Sequence, residues 1–264
     1  MEFAVDDEAA SEIVGALRAA GCVFADDETR LLIAEASSTA ELDRLVAARI
    51  SGEPLEYLLG WAEFLGLRLT VERGVFVPRR RTEYLALEAI RCARSAETAS
   101  PVLVDLCCGV GAVAAATIEA GIGAEVYAAD IDPVAVGCAR HNVGARGQAV
   151  EGDLFAALPA ELRGRIDVIV ANAPYVPTGE IVMMPSEARN HEARTALDGG
   201  PDGLDVGRRI AAGAPDWLTR AGQLLVETSE RQAETASGIF AAAGLKPRIL
   251  RSADHDSTIV IGSR

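Results

Sequence analysis

The chain has 264 residues, of which 50% are hydrophobic, and this is enough to bury the core of one large domain or two smaller ones. Its formal net charge of -14 argues against a broad nucleic-acid surface, because affinity for phosphates comes mainly from Lys and Arg. The five cysteines lack metal-type spacing, the start of the chain is acidic, and no apolar run is long enough to span a membrane. These features predict a cytoplasmic protein with reduced thiols and no signal peptide.

The first part of the chain, residues 1–60, has the apolar spacing of short helices. Each predicted helix is preceded by a residue that commonly starts one. These residues are, in chain order, Asp6 or Asp7, then Asp26 or Asp27, then the capping-box pattern Ser38-Thr39-Ala40-Glu41, and finally Pro54. The pattern predicts a small N-terminal helical domain that contributes to substrate recognition.

The next segment, residues 61–81, is predicted to be a β-hairpin linker. Residues 63–71 alternate between apolar and polar side chains with the period of a strand. Gly74 then marks a turn before a second short apolar run at residues 75–77. The expected hairpin therefore pairs residues 63–71 with residues 75–77.

The remaining chain, residues 82–264, alternates between helical and strand patterns. This alternation predicts an α/β domain with a mainly parallel, Rossmann-like sheet and a ligand crevice at the carboxyl ends of its strands. Residues 178–205 are predicted to be a long irregular loop, a length that is usually functional or mobile. The predicted strands are residues 102–106, 125–129, 149–151, 167–170, 223–227, 247–251 and 257–261.

Two of these strand ends have residues suited to a nucleoside. The first leads into Cys107-Cys108-Gly109-Val110-Gly111, where the glycines let a ligand approach the backbone at a helix N-terminus. The second ends at Asp130, where a carboxylate can accept both hydroxyls of a ribose. Asp130 is alternatively a helix N-cap, although Asp132 is the better candidate for a cap because Pro133 follows it.

The third and fourth strand ends extend this series. At Asp153-Leu154-Phe155, an acceptor and an apolar wall can hold an adenine ring, unless these residues are a cap and a core Phe. At Asn172-Ala173-Pro174-Tyr175, Pro174 restrains Ala173, so that the Asn172 side-chain oxygen and the Ala173 carbonyl become aimed acceptors. Such a pair suits an NH2 group on a planar carbon. Taken alone, this turn is an ordinary strand end; after three other sites in this order, that interpretation is no longer favoured.

The four sites in series match S-adenosylmethionine-dependent methyltransferases, and the chain more closely resembles the HemK/PrmC family of protein-glutamine N-methyltransferases. The resemblance covers nearly the whole chain. Beyond the Asn172 turn, it rests on residues 53–60 and 63–67, on Pro78-Arg79-Arg80-Arg81-Thr82-Glu83, on residues 196–205 and on the late strand that ends at Glu227. The family methylates the glutamine amide of a Gly-Gly-Gln motif in peptide-chain release factors.

The resemblance implies the site residues and the partner. The cofactor is S-adenosylmethionine, the partner is a protein such as a release factor, and neither a membrane nor an extended nucleic-acid surface is expected. The implied catalytic residues are Asn172, Ala173, Pro174 and Tyr175. The implied cofactor-binding residues are Phe76, Asp105, Cys107, Cys108, Gly109, Val110, Gly111, Asp130, Ile131, Asp153, Leu154 and Asn172.

The chain departs from the family pattern at a few positions. Ala173 replaces a proline, although its backbone carbonyl is retained, and Arg80 replaces another proline. Cys107-Cys108 replace a Gly-Thr pair, and Cys107 is not expected to adopt a positive φ. His191-Glu192 stands near the place of a Glu-Pro pair. These departures predict a divergent branch of the family.

Other functions remain open from the residues alone. The same fold and cofactor could act on another protein, on a small molecule or on an exocyclic amine of a nucleic acid. A non-catalytic module that keeps only the cofactor pocket is a further alternative. His141, His191 and His255 have no spacing typical of metal ligands.

Overall fold

A mainly parallel sheet forms the centre of the protein. The computed structural model describes Phe3 and residues 5–264, so residues 1, 2 and 4 of the predicted helical segment lie outside the described residues. The described strands are β1 (Trp61–Phe64), β2 (Leu67–Thr70), β3 (Val102–Leu106), β4 (Glu125–Asp130), β5 (Gln148–Glu151), β6 (Ile166–Ala171), β7 (Leu218–Thr228), β8 (Lys246–Ser252) and β9 (Ser257–Ser263).

Seven of these strands form one sheet, in the order β5-β4-β3-β6-β7-β9-β8. The pairs from β5 to β7 are parallel, whereas β9 is antiparallel to both of its neighbours. The predicted Rossmann-like sheet is therefore confirmed, and each of its predicted strands lies inside an observed one.

Helices cover both faces of the sheet. The described helices are α1 (Asp7–Ala19), α2 (Ala25–Glu35), α3 (Thr39–Ile50), α4 (Leu55–Leu59), α5 (Thr82–Arg94), α6 (Ala112–Glu119), α7 (Pro133–Val143), α8 (Ser186–His191), α9 (Asp205–Trp217) and α10 (Ala233–Ala242). Among the described residues, no helix has both the length and the apolarity needed to cross a membrane.

Each face of the sheet has its own apolar core, because successive side chains of a strand point to opposite faces. Along β3, Leu103 packs into the core beneath α5, α6 and α7. Val104 and Leu106 pack into the opposite core, which contains residues of α9 and α10. With both faces covered, the edge formed by the carboxyl ends of the strands is left for a ligand.

Helices α1 to α4 bury a smaller apolar cluster of their own, which includes Leu17 and Leu32. Asp6 caps α1 as predicted, by accepting a hydrogen bond from the amide of Ala9. The predicted cap of α2 is wrong, because this helix already begins at Ala25, whose side chain is buried. Asp26 and Asp27 lie in the first turn instead, where a negative charge favours the helix dipole.

The hairpin forms with a different register from the one predicted. Strand β1 pairs with β2 around Leu65 and Gly66, whose φ angles are 49° and 75°. Two positive φ angles are typical of a type I′ turn, which matches the twist of the flanking strands. Residues 63–71 are therefore two strands and not one, and residues 75–77 form no strand.

The segment from Thr178 to Asp205 is also more regular than predicted. It contains α8 and two short 3-10 turns, at Thr178–Met183 and Arg194–Ala196. It is anchored at its base, because the amide of Gly199 donates to the carbonyl of Val176 at 2.9 Å. It also contacts the linker, because the amide of Ala193 donates to the carbonyl of Gly74 at 3.0 Å.

Candidate active site

A cavity of about 670 Å³ opens at the carboxyl ends of β3, β4 and β6, where the fold leaves the edge of the sheet uncovered. The cavity brings together nearly all residues implied by the resemblance, and Gly111 is the exception. The implied residues that line it are Phe76, Asp105, Cys107, Cys108, Gly109, Val110, Asp130, Ile131, Asp153, Leu154, Asn172, Ala173, Pro174 and Tyr175.

The loop after β3 forms the floor of the cavity. Cys107 adopts a φ of 55°, so the expectation that it avoids positive φ is wrong. This conformation costs a non-glycine residue about 1–2 kcal/mol, which the surrounding hydrogen bonds offset. The amide of Cys108 donates to the carbonyl of Ala129 at 3.1 Å, and the amide of Gly111 donates to the carbonyl of Cys108 at 2.8 Å.

Gly111 serves packing and does not line the cavity. It precedes α6 with a φ of 74°. A Cβ atom at this position would lie 3.1 Å from the Cβ of Ala139 on α7. The glycine therefore permits the close approach of α6 and α7, and its predicted place among the cofactor-binding residues is not supported by the geometry.

Asp130 links the end of β4 to the loop after β3. Its Oδ2 atom accepts from the amide of Gly109 at 2.8 Å, and its Oδ1 atom accepts from the amide of Asp132 at 3.0 Å. The N-cap of α7 is Asp132, which accepts from the amide of Val134 at 2.9 Å. Asp130 is therefore free of the capping role, and it lines the cavity.

A second carboxyl group, that of Asp105, is buried behind the cavity with 2% exposure. It accepts one hydrogen bond, from the amide of Ala114 at 3.1 Å. Burial raises the pKa of Asp105 to about 8, helped by the negative charge of Asp130 and opposed by the Ala114 amide. A cationic ligand in the cavity would favour the ionised form of this group.

At the third strand end, the two apolar residues that were candidates for the adenine wall lie in different environments. Leu154 lines the cavity, whereas Phe155 stacks on Trp217 with ring centroids 5.6 Å apart. Phe155 is therefore a core residue, which was the alternative that the sequence left open. Asp153 lines the cavity and forms an ion pair with Arg209 at 2.6 Å.

The turn after β6 presents two acceptors to the cavity. The Nδ2 atom of Asn172 donates to the Oγ1 atom of Thr82 at 3.1 Å, which leaves the Oδ1 atom as the exposed end of the amide. Neither this Oδ1 atom nor the carbonyl of Ala173 accepts a hydrogen bond from any described residue. The Tyr175 hydroxyl donates to the Oε1 atom of Glu227 at 3.2 Å.

Several residues of the site were not predicted. Arg79, Arg81, Thr82 and Arg194 also line the cavity. Glu192 is buried, accepts from the amide of Val77 at 3.2 Å and forms an ion pair with Arg79. It therefore connects the linker to the segment from Thr178 to Asp205. Arg79 and Thr82 lie in the Pro78 to Glu83 stretch that carries the family resemblance, so the sequence could have indicated them. No residue near Glu192 in the sequence indicated its ion pair with Arg79.

The lining fits S-adenosylmethionine, a nucleoside that carries a positive charge. Asp130 offers negative charge, a bound cation favours the ionised form of Asp105, and Gly109 lets a ligand approach the backbone. Phe76, Ile131 and Leu154 supply apolar surface for a purine ring. The volume of the cavity, about 670 Å³, lies within the usual range for small-molecule sites.

We expect the substitution Asp130→Ala to weaken S-adenosylmethionine binding about 10- to 100-fold, because each hydrogen bond to a charged group contributes about 1.5–3 kcal/mol. Calorimetric titration measures the dissociation constant. Asp43→Ala, at an exposed position of α3, is the control and should bind as the wild type does. An unchanged dissociation constant for the Asp130 variant would refute its role at the ribose.

Comparisons with known proteins agree with this geometry. The methyltransferase small domain model matches residues 90–240. The release factor glutamine methyltransferase of Geobacter sulfurreducens is 40% identical over 203 residues, which cover 76% of this chain and 69% of that protein. A 4-amino-L-phenylalanine/4-methylamino-L-phenylalanine methyltransferase of Streptomyces pristinaespiralis is 34% identical, covering 90% of this chain and 86% of that protein.

The fold agrees as well. The crystal structure of a methyltransferase from Pyrococcus furiosus superposes with a TM-score of 0.56 at 15% identity, covering 82% of this chain and 96% of that one. Matches of the family model and of long relatives, together with a cavity suited to the cofactor, identify the chain. It belongs to the family of release factor glutamine methyltransferases and is an S-adenosylmethionine-dependent methyltransferase.

Proposed function

We propose that the protein methylates the side-chain amide nitrogen of a glutamine in a Gly-Gly-Gln motif of release-factor type. One observation carries this proposal. Two acceptors have no hydrogen-bond partner among the described residues, the Oδ1 atom of Asn172 and the carbonyl of Ala173, and both residues line the cavity that Asp130 also lines. A primary amide has two N–H bonds on one planar nitrogen, and two adjacent acceptors match it.

Bound S-adenosylmethionine supplies an electrophilic methyl group. The residues of the chain supply orientation and polarisation. Asn172 and the Ala173 carbonyl accept the two N–H bonds of the amide, which shifts electron density toward a nitrogen that is otherwise a poor nucleophile. The ring of Tyr175 packs against the amide plane. No described residue that is a strong base hydrogen-bonds to these acceptors, so the amide nitrogen gives its proton to solvent water after it has gained the methyl group.

We further propose that residues 1–60 form a substrate-recognition domain, residues 61–81 a linker, and residues 82–264 the catalytic domain. The separate apolar cluster of α1 to α4 supports this division. Val23 and Phe24, between α1 and α2, are 84% and 68% exposed and offer apolar surface to a protein partner. Arg49 of α3 pairs with Glu187 of α8, and this pair joins the helical part to the segment above the cavity.

The partner that we propose is a protein, and the location that we propose is the cytoplasm. The net charge of -14 disfavours an extended nucleic-acid surface. Each of the five cysteines, all of which lie in the described residues, is a free thiol. Free thiols are usual in a reducing compartment.

The direct test is transfer of a radiolabelled methyl group from S-adenosylmethionine to a purified release factor. We expect one label per molecule, which mass spectrometry of the peptides places on the glutamine of the Gly-Gly-Gln motif. The matched control is the same factor with that glutamine replaced by alanine, which should stay unlabelled. Label elsewhere on the factor, or on RNA, would contradict the proposal.

A second candidate acceptor is the aryl amine of a free amino acid. Arg81 lines the cavity and forms no ion pair with a described carboxylate, so it is available to the carboxylate of such a substrate. The name of the relative from Streptomyces pristinaespiralis states a substrate of this kind. A parallel assay with 4-amino-L-phenylalanine separates the two candidates, because only this acceptor should lose affinity in the Arg81→Met variant.

A further inference from the structure

Glu227 is a buried carboxylate that contacts the acceptor turn, residues 172–175. It lies near the end of β7, it is 1% exposed, and it does not line the cavity. Its Oε1 atom accepts from the Tyr175 hydroxyl at 3.2 Å, whereas its Oε2 atom is buried without a geometric hydrogen-bond partner among the described residues. A buried carboxylate is costly to keep, so its presence here calls for a function.

Thr82 lies at the start of α5 and is 4% exposed. Its Oγ1 atom accepts from the Nδ2 atom of Asn172 at 3.1 Å. An amide side chain can rotate by half a turn and exchange its oxygen and nitrogen. Because Thr82 holds the nitrogen, the oxygen of Asn172 stays free to accept from another donor in the cavity that Asn172 lines.

The protonation of Glu227 depends on its neighbours. Burial raises the pKa of Glu227, and the Thr82 hydroxyl, the Tyr175 hydroxyl and the charge of Arg81 each oppose that rise. Among the described residues, only the Tyr175 hydroxyl forms a geometric hydrogen bond with this carboxylate. Two residues of the acceptor turn are thus held by side chains outside it. Asn172 donates to Thr82, and Tyr175 donates to Glu227.

We propose that Glu227 and Thr82 are positioning residues, which hold the Asn172 amide and the Tyr175 ring in the orientation that binds the acceptor nitrogen. This inference rests on the proposed function in taking Asn172 as the acceptor-binding residue. Neither positioning residue touches the reacting atoms. Their effect on methyl transfer must therefore pass through Asn172 or Tyr175, and this is what a double-mutant cycle measures.

The first test uses Thr82. Thr82→Val keeps the shape of the side chain and removes the acceptor, and we expect the turnover number to fall about 3- to 10-fold, the usual effect of one hydrogen bond. Thr82→Ser should restore it. In an Asn172→Ala background, Thr82→Val should change turnover by less than about 2-fold, because non-additive effects mark a shared pathway.

The control is Thr117→Val on α6. Thr117 is also buried, at 1% exposure, its hydroxyl donates to the Val113 carbonyl at 2.9 Å within the helix, and Thr117 itself does not line the cavity. This variant should keep the wild-type turnover. A second readout needs no activity: the side-chain amide NMR signal of Asn172, assigned by its loss in Asn172→Ala, should shift in Thr82→Val and stay unchanged in Thr117→Val.

The second test uses Glu227→Gln, which keeps an oxygen for the Tyr175 hydroxyl and removes the charge. Burial and the negative charge of Glu227 raise the pKa of Tyr175. Removal of that charge should therefore lower the pKa of Tyr175, as measured by phenolate absorbance and assigned by its loss in Tyr175→Phe. Turnover should fall, while the dissociation constant for S-adenosylmethionine should stay within about 2-fold, because the carboxylate is outside the cavity.

The outcomes separate the two proposals. Additive effects of Thr82→Val and Asn172→Ala, an unmoved Asn172 signal or an unmoved Tyr175 titration would overturn the positioning role. A wild-type enzyme that labels 4-amino-L-phenylalanine and leaves the release factor unlabelled would overturn the proposed substrate. The double-mutant cycle would then be measured with that amine, and the two spectroscopic readouts would stand unchanged.

Discussion

Replacing Asn172 by alanine is expected to lower the turnover number by about 10²- to 10³-fold, the usual loss when one preorganised hydrogen-bonding group is removed from an active site. The physical reason is the proposed role of the Asn172 Oδ1 atom, which is to accept from the reacting amide while the Nδ2 atom is held by Thr82. Without it, the acceptor nitrogen is neither oriented nor polarised. Methyl transfer at saturating S-adenosylmethionine measures this effect directly.

The same variant should still bind the cofactor, because the groups that suit S-adenosylmethionine lie mainly on the loops after β3 and β4. Calorimetric titration should give a dissociation constant within about 5-fold of the wild type, since a single neutral hydrogen bond typically contributes about 1 kcal/mol. Asn190→Ala, on the exposed side of α8, is the matched control and should leave both quantities unchanged. Wild-type turnover in Asn172→Ala would remove the acceptor turn from the mechanism.

Replacing Arg49 by methionine is expected to lower the free energy of unfolding by about 3–5 kcal/mol, because it leaves a buried carboxylate without its cation. Arg49 and Glu28 are 8% and 7% exposed, and the guanidinium Nε lies 2.6 Å from the Glu28 Oε2 atom. Burial disfavours the charged form of Arg49, but hydrogen bonds to Glu28 and Glu187 outweigh it and raise the pKa of the guanidinium.

Chemical denaturation followed by circular dichroism measures this loss. The control is Arg44→Met on the same helix. Arg44 forms an ion pair with Glu41, and its side chain is 69% exposed. This change should cost no more than about 1 kcal/mol, since exposed ion pairs contribute little. The double variant Arg49→Met with Glu28→Leu should recover most of the loss, because an apolar pair can replace a buried ion pair. Equal losses for Arg49 and Arg44 would contradict the assignment.

The elements that were predicted well depend on short-range patterns. The strand β3 matches its predicted residues 102–106, since a short apolar run next to glycines is a local signal. The cap of α7 at Asp132 was favoured for a local reason as well, because a proline follows it. The hairpin was predicted with the wrong register, because the period of a strand does not reveal where a two-residue turn such as Leu65-Gly66 interrupts it.

The sequence by itself determined the order of elements, the glycine loop, the carboxylate at Asp130 and the acceptor turn at Asn172, because each depends on neighbouring residues. Only the tertiary structure decided the left-handed backbone of Cys107, which hydrogen bonds around the loop stabilise. Only packing also brings Thr82 to Asn172, across 90 residues, and Glu227 to Tyr175, across 52 residues. Contacts of this kind form between side chains on different elements, so no local pattern of residue types records them.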